Sequence, residues 1–215
     1  MGLAHPFFFY FRAMKYKAVI FDLGGVIINI DYAATIEAFG ALGHGDFQDM
    51  YSQAQQTGLF NDLETGKISG QRFVNELLPY LNVGTSPNRV VAAWNAMIGN
   101  VPLEHISLLQ KVRQQCPIYL LSNTNDIHMQ AVLRSWSASC EQPMEAIFDG
   151  VYLSHEIGMR KPDVEIFEFI CRENQLNPSE TLFVDDSIQH IEGAQLAGLQ
   201  AFHLTDFDSL DQFFS

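Results

Sequence analysis

Lys17–Ile28 reads KAVIFDLGGVII. Four apolar residues run into an Asp, and two glycines follow before the apolar pattern resumes. A continuous apolar run of this kind is the mark of a strand buried on both faces. The acid and the glycines at its end mark a chain leaving a sheet sharply. Four further β-rich runs lie downstream: Pro117–Leu121 (PIYLL), Ile147–Leu153 (IFDGVYL), Thr181–Val184 (TLFV) and Leu199–Leu204 (LQAFHL). Helical patterns fall between them, over Leu103–Gln115, Val164–Asn174 and Ser187–Ala197. Strand and helix in alternation predict an α/β fold with a doubly wound, mainly parallel sheet of Rossmann-like type.

The stretch from Tyr32 to Asn100 breaks the alternation. It holds no convincing strand and reads as four helices: Tyr32–Leu42, Phe47–Thr57, Ser69–Leu81 and Pro87–Gly99. Ser86-Pro87 is a cap residue followed by Pro at the first helical position. An insert directly after the first strand is expected to sit over the strand ends as a small four-helix cap domain. The expected division is therefore a core of residues 14–31 and 101–215, with a cap of residues 32–100. Residues 1–13, with the aromatic run PFFFYF, are expected to be a poorly ordered extension.

The 215 residues carry 12 Lys+Arg against 25 Asp+Glu, a net charge of −13. So acidic a surface repels phosphate backbones and anionic lipid, which argues against nucleic acid and membrane as partners. The aromatic run is too short to span a bilayer. Three dispersed cysteines, Cys116, Cys140 and Cys171, form no disulfide framework and point to a reducing cytoplasm.

In open parallel sheets, ligands bind outside the carboxyl ends of the strands. After the first run comes Asp22-Leu23-Gly24-Gly25, which taken alone is equally an ordinary turn. After the second comes Ser122-Asn123-Thr124-Asn125, suited to phosphate oxygens or to plain helix capping. Lys161 follows the third run, ahead of a Pro–Asp helix start, and can reach a site as a point charge. After the fourth comes Asp185-Asp186. Adjacent acids at the end of a buried strand repel each other, and a hard divalent cation with oxygen ligands relieves that repulsion.

Nucleophile, hydroxyl, lysine and acid pair, in that order on four successive strands, resemble the haloacid dehalogenase superfamily of hydrolases, of the type with a helical cap after the first strand. The resemblance runs from Met14 to Ser215. LSNTN (Leu121–Asn125), YLSHEIGMRKPD (Tyr152–Asp163) and IEGA (Ile191–Ala194) are similar to the branch that contains bacterial α-glucose-1-phosphate phosphatases, as are ETGKIS (Glu64–Ser69) and WNAM (Trp94–Met97).

The resemblance implies a phosphatase of small, sugar phosphate-like metabolites, acting as monomer or homodimer. Asp22 would carry a phosphoaspartyl intermediate. Ser122 and Lys161 would hold the transferring phosphoryl, with Asn123 nearby. Mg²⁺ would be bound by Asp22, the Gly24 carbonyl and Asp186, with Asp185 reaching it directly or through water. Replacing Lys161 by Ala is then expected to weaken phosphate binding far more than stability.

The sequence departs from the family pattern at Gly24, where most phosphatases of the superfamily carry a second Asp as acid and base. Such help is typically worth about 10²–10⁴-fold in rate. His155, Asn125 and Glu64 are candidate substitutes, with a structural role favoured for His155. His190 stands where relatives often have Asn and reads as a group behind the acids or, more plainly, as a solvated helix residue. Asn61, Asp62, Glu64 and Trp94 are candidate specificity residues, Trp94 being equally a core side chain. A dehalogenase on the same fold and a non-catalytic binding protein are the competing readings.

Overall fold

The computed structural model describes residues 16–44, 47, 58–210 and 214. The expectations for residues 1–13 and for nearly all of the helix expected over Phe47–Thr57 lie outside these residues.

Five parallel strands form one sheet in the order β3-β2-β1-β4-β5. They are β1 (Ala18–Phe21), β2 (Ile118–Ser122), β3 (Gly150–Leu153), β4 (Thr181–Asp185) and β5 (Gln200–His203). β1 lies in the middle, with Val19 paired to Ile118 on one side and Ile20 to Phe183 on the other. Its side chains alternate between two apolar layers. Val19 and Phe21 join the layer that holds Leu109, Val132 and Trp136, while Ala18 and Ile20 join that of Phe167, Ile170 and Ile191. Burial on both faces is why the β1 sequence has no polar position. Each such side chain contributes roughly 1.5–3 kcal/mol relative to an exposed one.

The chain leaves β1 toward β2 in one direction and enters β4 from the other, so the crevice opens at the end of β1. The helical segment between β1 and β2 contains α1 (Tyr32–Ala41), α2 (Leu59–Glu64), α3 (Gly70–Leu77) and α4 (Pro87–Trp94). Short 3-10 turns, Leu78–Tyr80 and Asn95–Met97, extend the last two. Asp31 and Ser69 cap α1 and α3 by accepting from the backbone of Ala34 and Arg72. These helices share their own apolar cluster of Phe39, Phe60, Phe73, Leu77, Val90 and Trp94. The two connecting stretches pair with each other: Asn29 donates to Asn100, Gly99 to Asn29 and Asp31 to Met97.

The sheet is completed by α5 (Leu103–Arg113), α6 (Asp126–Ser139), α7 (Met144–Ile147), α8 (Ser154–Ile157), α9 (Val164–Glu173) and α10 (Ile188–Leu196). Three expectations need correction. The run from Lys17 pairs only as far as Phe21, because the Leu23 carbonyl accepts from both Ile27 and Ile28 and winds residues 23–28 into a tight loop. The third strand begins at Gly150, not Ile147. Met144 and Ile147, three apart, bury the same side of one helical turn, and Asp149 then pins the chain by accepting from the Ile118 N–H at 2.9 Å. α2, which follows Gly58, had no counterpart in the sequence pattern.

Candidate active site

Asp22 is the first residue past β1, and its N–H still donates to Val184 at 2.9 Å. That bond fixes the carboxylate at the strand end. Lys161 arrives from the loop after β3 and is fully buried. Its Nζ lies 2.7 Å from Asp22 Oδ1 and 2.6 Å from Asp185 Oδ2, and donates to the Leu121 carbonyl at 3.2 Å. The Asn123 amide braces this loop from both sides, donating to the Lys161 carbonyl and accepting from the Lys161 N–H, each at 2.9 Å.

Asp185 is fully buried at the end of β4. It accepts from Lys161, from the Ser187 N–H at 2.8 Å and from His190 Nδ1 at 2.9 Å. His190 is therefore not a solvated helix residue. α10 starts directly after Ser187, and its first turn swings residue 190 back onto the strand end, where it is buried. Asp186 is half-buried, and His203 Nε2 bonds to its carbonyl at 2.9 Å. Carboxylate oxygens of Asp22, Asp185 and Asp186 all lie within 4.8 Å of one another.

One lysine faces three acids, and the protonation equilibria reflect the deficit. Burial, reinforced by Asp185 and Asp186 and only partly opposed by Lys161, pushes Asp22 up to about 8. Burial and the neighbouring Asp185 push Asp186 up to about 6. Burial would raise Asp185 too, but Lys161 and His190 outweigh it and hold that acid below its usual range. Burial acts to lower Lys161, yet Asp185 and Asp22 prevail and raise it. A cluster of hard oxygen donors with unmet negative charge fits a small divalent cation such as Mg²⁺.

Gly25 has φ +70°, and a Cβ there would lie 2.1 Å from Asp186 Oδ2. Only glycine allows the loop to pass this close to the acid. Gly25→Ala is expected to cost at least ~1–2 kcal/mol from the left-handed backbone alone. It should also abolish any Mg²⁺-dependent rise in melting temperature. A variant melting and responding to Mg²⁺ as the parent does would contradict this placement of Asp186.

A cleft above Asp22 is lined by Gly24, Ser122, Asn123, Lys161, His190 and Glu64, all singled out from the sequence, and also by Tyr32, His128 and Arg160. Glu64 comes from α2 and forms an ion pair of 3.0 Å with Arg160. Asn61 does not line the cleft but lies behind this pair, 3.4 Å from Arg160. Asp62 turns toward Lys67, at 3.9 Å. Trp94 is core, 1 % exposed. Of the candidate substitutes for an acid–base group, Asn125 does not line the cleft, and its Oδ1 caps α6 by accepting from the His128 N–H. His155 does not line the cleft; its carbonyl lies where a Cβ on Gly66 would be, 2.0 Å away, in a close approach of the helical segment to the core. Only Glu64 reaches the cleft. Arg160 and His128 went unremarked in the sequence, although Arg160 adjoins Lys161 and His128 opens the helix after LSNTN.

Fold and site together define a hydrolase-type α/β core with an acid cluster at the end of its central strand. The haloacid dehalogenase-like hydrolase profile matches residues 16–198. The D-ribitol-5-phosphate phosphatase of Bacteroides thetaiotaomicron is 35% identical over 191 residues, 86% of this chain and 90% of that protein. A haloacid dehalogenase family enzyme of the same organism, solved in complex with magnesium and inorganic phosphate, is 34% identical with a TM-score of 0.80, over 87% of this chain and 93% of that one. A haloacid dehalogenase-like hydrolase of Porphyromonas gingivalis is 29% identical with a TM-score of 0.80, over 88% and 91%. The chain belongs to the haloacid dehalogenase-like hydrolase family. Among the described residues, no helix is long and apolar enough to cross a membrane.

Proposed function

We propose that this chain is a Mg²⁺-dependent phosphatase of small phosphate esters, with Asp22 as the nucleophile. The observation that carries the reading is the Lys161 Nζ held between the Asp22 and Asp185 carboxylates, with Asp186 beside them. The relatives named above, a sugar-alcohol phosphate phosphatase and an enzyme holding magnesium and phosphate, support it.

In the first step an Asp22 carboxylate oxygen bonds to phosphorus and the ester P–O bond breaks, the leaving oxygen taking a proton from solvent water. In the second, water attacks the same phosphorus, the aspartyl–phosphorus bond breaks, and phosphate departs. Lys161 offsets charge on the phosphoryl oxygens, and Ser122 donates its hydroxyl to one of them. Asn123 contributes by bracing the Lys161 loop. Mg²⁺ would be held by Asp22, Asp186 and the Gly24 carbonyl, with Asp185 behind them, and would supply positive charge against the phosphoryl group. Residues 32–100 act as the cap over a core of residues 14–31 and 101–215, and the paired connectors at Ile30 and Ile98 are its hinge. Three buried cysteines without a disulfide support a cytoplasmic setting.

Phosphate release from a panel of small esters should require Mg²⁺ and stop on chelation. Release of halide from a haloacid, indifferent to chelator, would replace this reading with the dehalogenase one.

Mg²⁺ should also stabilise the protein, and more so at pH 8 than at pH 5. Asp22 and Asp186 have raised values, so the folded state favours their protonated forms. Apoprotein stability then falls as pH rises from about the unfolded carboxylate range of 3.8 through 6 and 8. Over that window Mg²⁺ competes with protons for the same oxygens, and its stabilising effect grows. Melting curves with and without Mg²⁺ across pH test this. A shift that is larger at pH 5 would contradict it.

We further propose that Gly24 leaves the site without a dedicated acid–base carboxylate. A Cβ at Gly24 would lie 3.1 Å from Ile30 Cγ1, so an apolar side chain crowds the space that a longer residue would enter. Gly24→Asp alone should gain little. Combined with Ile30→Ala, it should raise turnover of esters with poor leaving groups by up to ~10²-fold. Equal rates in the double variant and in Ile30→Ala would mean that protonation does not limit the reaction.

A further inference from the structure

Beyond the phosphoryl clamp, the cleft has a polar rim that the two chemical steps do not use. One part is the Glu64–Arg160 pair, contributed jointly by the helical segment and by the loop carrying Lys161, with both side chains largely buried. The other is His128 on the first turn of α6. Its ring stacks on Trp94 with centroids 4.6 Å apart, and its Nδ1 lies 3.0 Å from Asn95 Oδ1. With that oxygen facing it, Nδ1 carries the proton and Nε2 is the ring's acceptor. Ile30, Met97 and Ile98 supply apolar wall between the polar groups.

The charges of this rim cancel. Glu64 and Arg160 neutralise each other, and burial pushes His128 down to about 3, so it is uncharged at neutral pH. A second phosphate or a carboxylate on the substrate would find no surplus cation among the described residues of this rim, in a protein whose net charge is −13. A chain of hydroxyls meets a different surface. Each hydroxyl both donates and accepts, matching a rim that alternates carboxylate, guanidinium and imidazole acceptor.

We propose that Glu64, Arg160 and His128 read the hydroxyls of the leaving group, which makes the site selective for monophosphates of uncharged polyols or sugars. This deepens the phosphatase reading and rests on it. A site built to hydrogen-bond hydroxyls rejects an analogue that lacks them far more strongly than an apolar pocket rejects an extra methylene, because its buried polar groups are left unpaired.

The test compares kcat/KM for three esters under saturating Mg²⁺: a sugar-alcohol monophosphate, an alkyl monophosphate of the same chain length, and the bisphosphate of the same sugar alcohol. The parent should prefer the polyol monophosphate to both by about 10²-fold or more. That preference over the alkyl ester should fall at least tenfold in Glu64→Gln, which keeps size and shape, and in His128→Phe, which keeps the stack on Trp94. Melting curves confirm folding, and the isosteric Glu64→Gln carries the test if His128→Phe does not fold. A pair that merely latched the helical segment to the core would lower all three efficiencies together and leave the ratio unmoved. An unmoved ratio in Glu64→Gln overturns the proposal. So does a parent that favours the bisphosphate, or one that hydrolyses polyol and alkyl esters alike; in the last case the phosphatase reading stands. Release from no ester at all overturns both.

Discussion

Asp22→Asn folds as the parent does and loses phosphate release by ~10⁴-fold or more, since an amide cannot act as the proposed carboxylate nucleophile. The amide matches the carboxylate in size and leaves the loop hydrogen bonds of residues 23–28 in place. Its effect on stability has a definite sign. Asp22 carries its charge in a buried setting where burial outweighs the help from Lys161 and pushes its value up to about 8. Between the unfolded carboxylate value of 3.8 and that range, rising pH therefore costs the parent stability that the neutral amide does not lose. The variant's melting temperature, measured without Mg²⁺, should equal or exceed the parent's at pH 8, and the advantage should shrink toward pH 4. Mg²⁺ should raise it less than it raises the parent. A buried carboxylate that is a net burden on the fold without Mg²⁺ fits a site arranged for binding at some expense of stability.

Lys161→Met removes a cation that lies between two buried carboxylates. Reasoning from the sequence alone expects a defect in phosphate binding with little loss of stability. The structure amends that. Nζ is 2.7 Å and 2.6 Å from Asp22 and Asp185, with no solvent exposure on the lysine. Breaking a buried pair by removing one partner typically costs about 3–5 kcal/mol, because the charge left behind is uncompensated. Lys161 itself stays protonated up to high pH, since its value is raised, so the pH dependence of the loss comes from the acids it no longer balances. Destabilisation should be greatest near pH 8 and should shrink as the acids protonate toward pH 5. Chemical denaturation across that range checks it. Loss of phosphate binding with unchanged stability at pH 8 would mean that the two carboxylates do not depend on this lysine.

Much of this was legible in the sequence, for a physical reason. A strand buried on both faces cannot hide its composition, so VIF in β1 and LFV in β4 read directly as central strands. The acids past their ends read as site residues only together with Ser122 and Lys161 at the neighbouring strand ends, since an ordinary turn or helix cap explains each of them alone. The loop of residues 23–28 was not legible, because its apolar residues look like more strand and only the doubly used Leu23 carbonyl reveals the turn. His190 looked like a helix surface position, since periodicity within α10 says nothing about the strand end its first turn faces. The Glu64–Arg160 pair joins elements remote in the chain, and only the packing of the helical segment on the core brings them together. Residues in local patterns were readable. Contacts such as His190 on Asp185 and Arg160 on Glu64, made only where separate elements pack, were not.

The central claim is a covalent bond between phosphorus and Asp22. Rapid acid quench of the enzyme during turnover of a sugar-alcohol monophosphate, followed by peptide mass spectrometry, tests it most directly. Phosphate should be found on Asp22, only when Mg²⁺ is present, and never in Asp22→Asn. Sustained phosphate release with Asp22 unmodified, or with the label on another residue, would contradict the account.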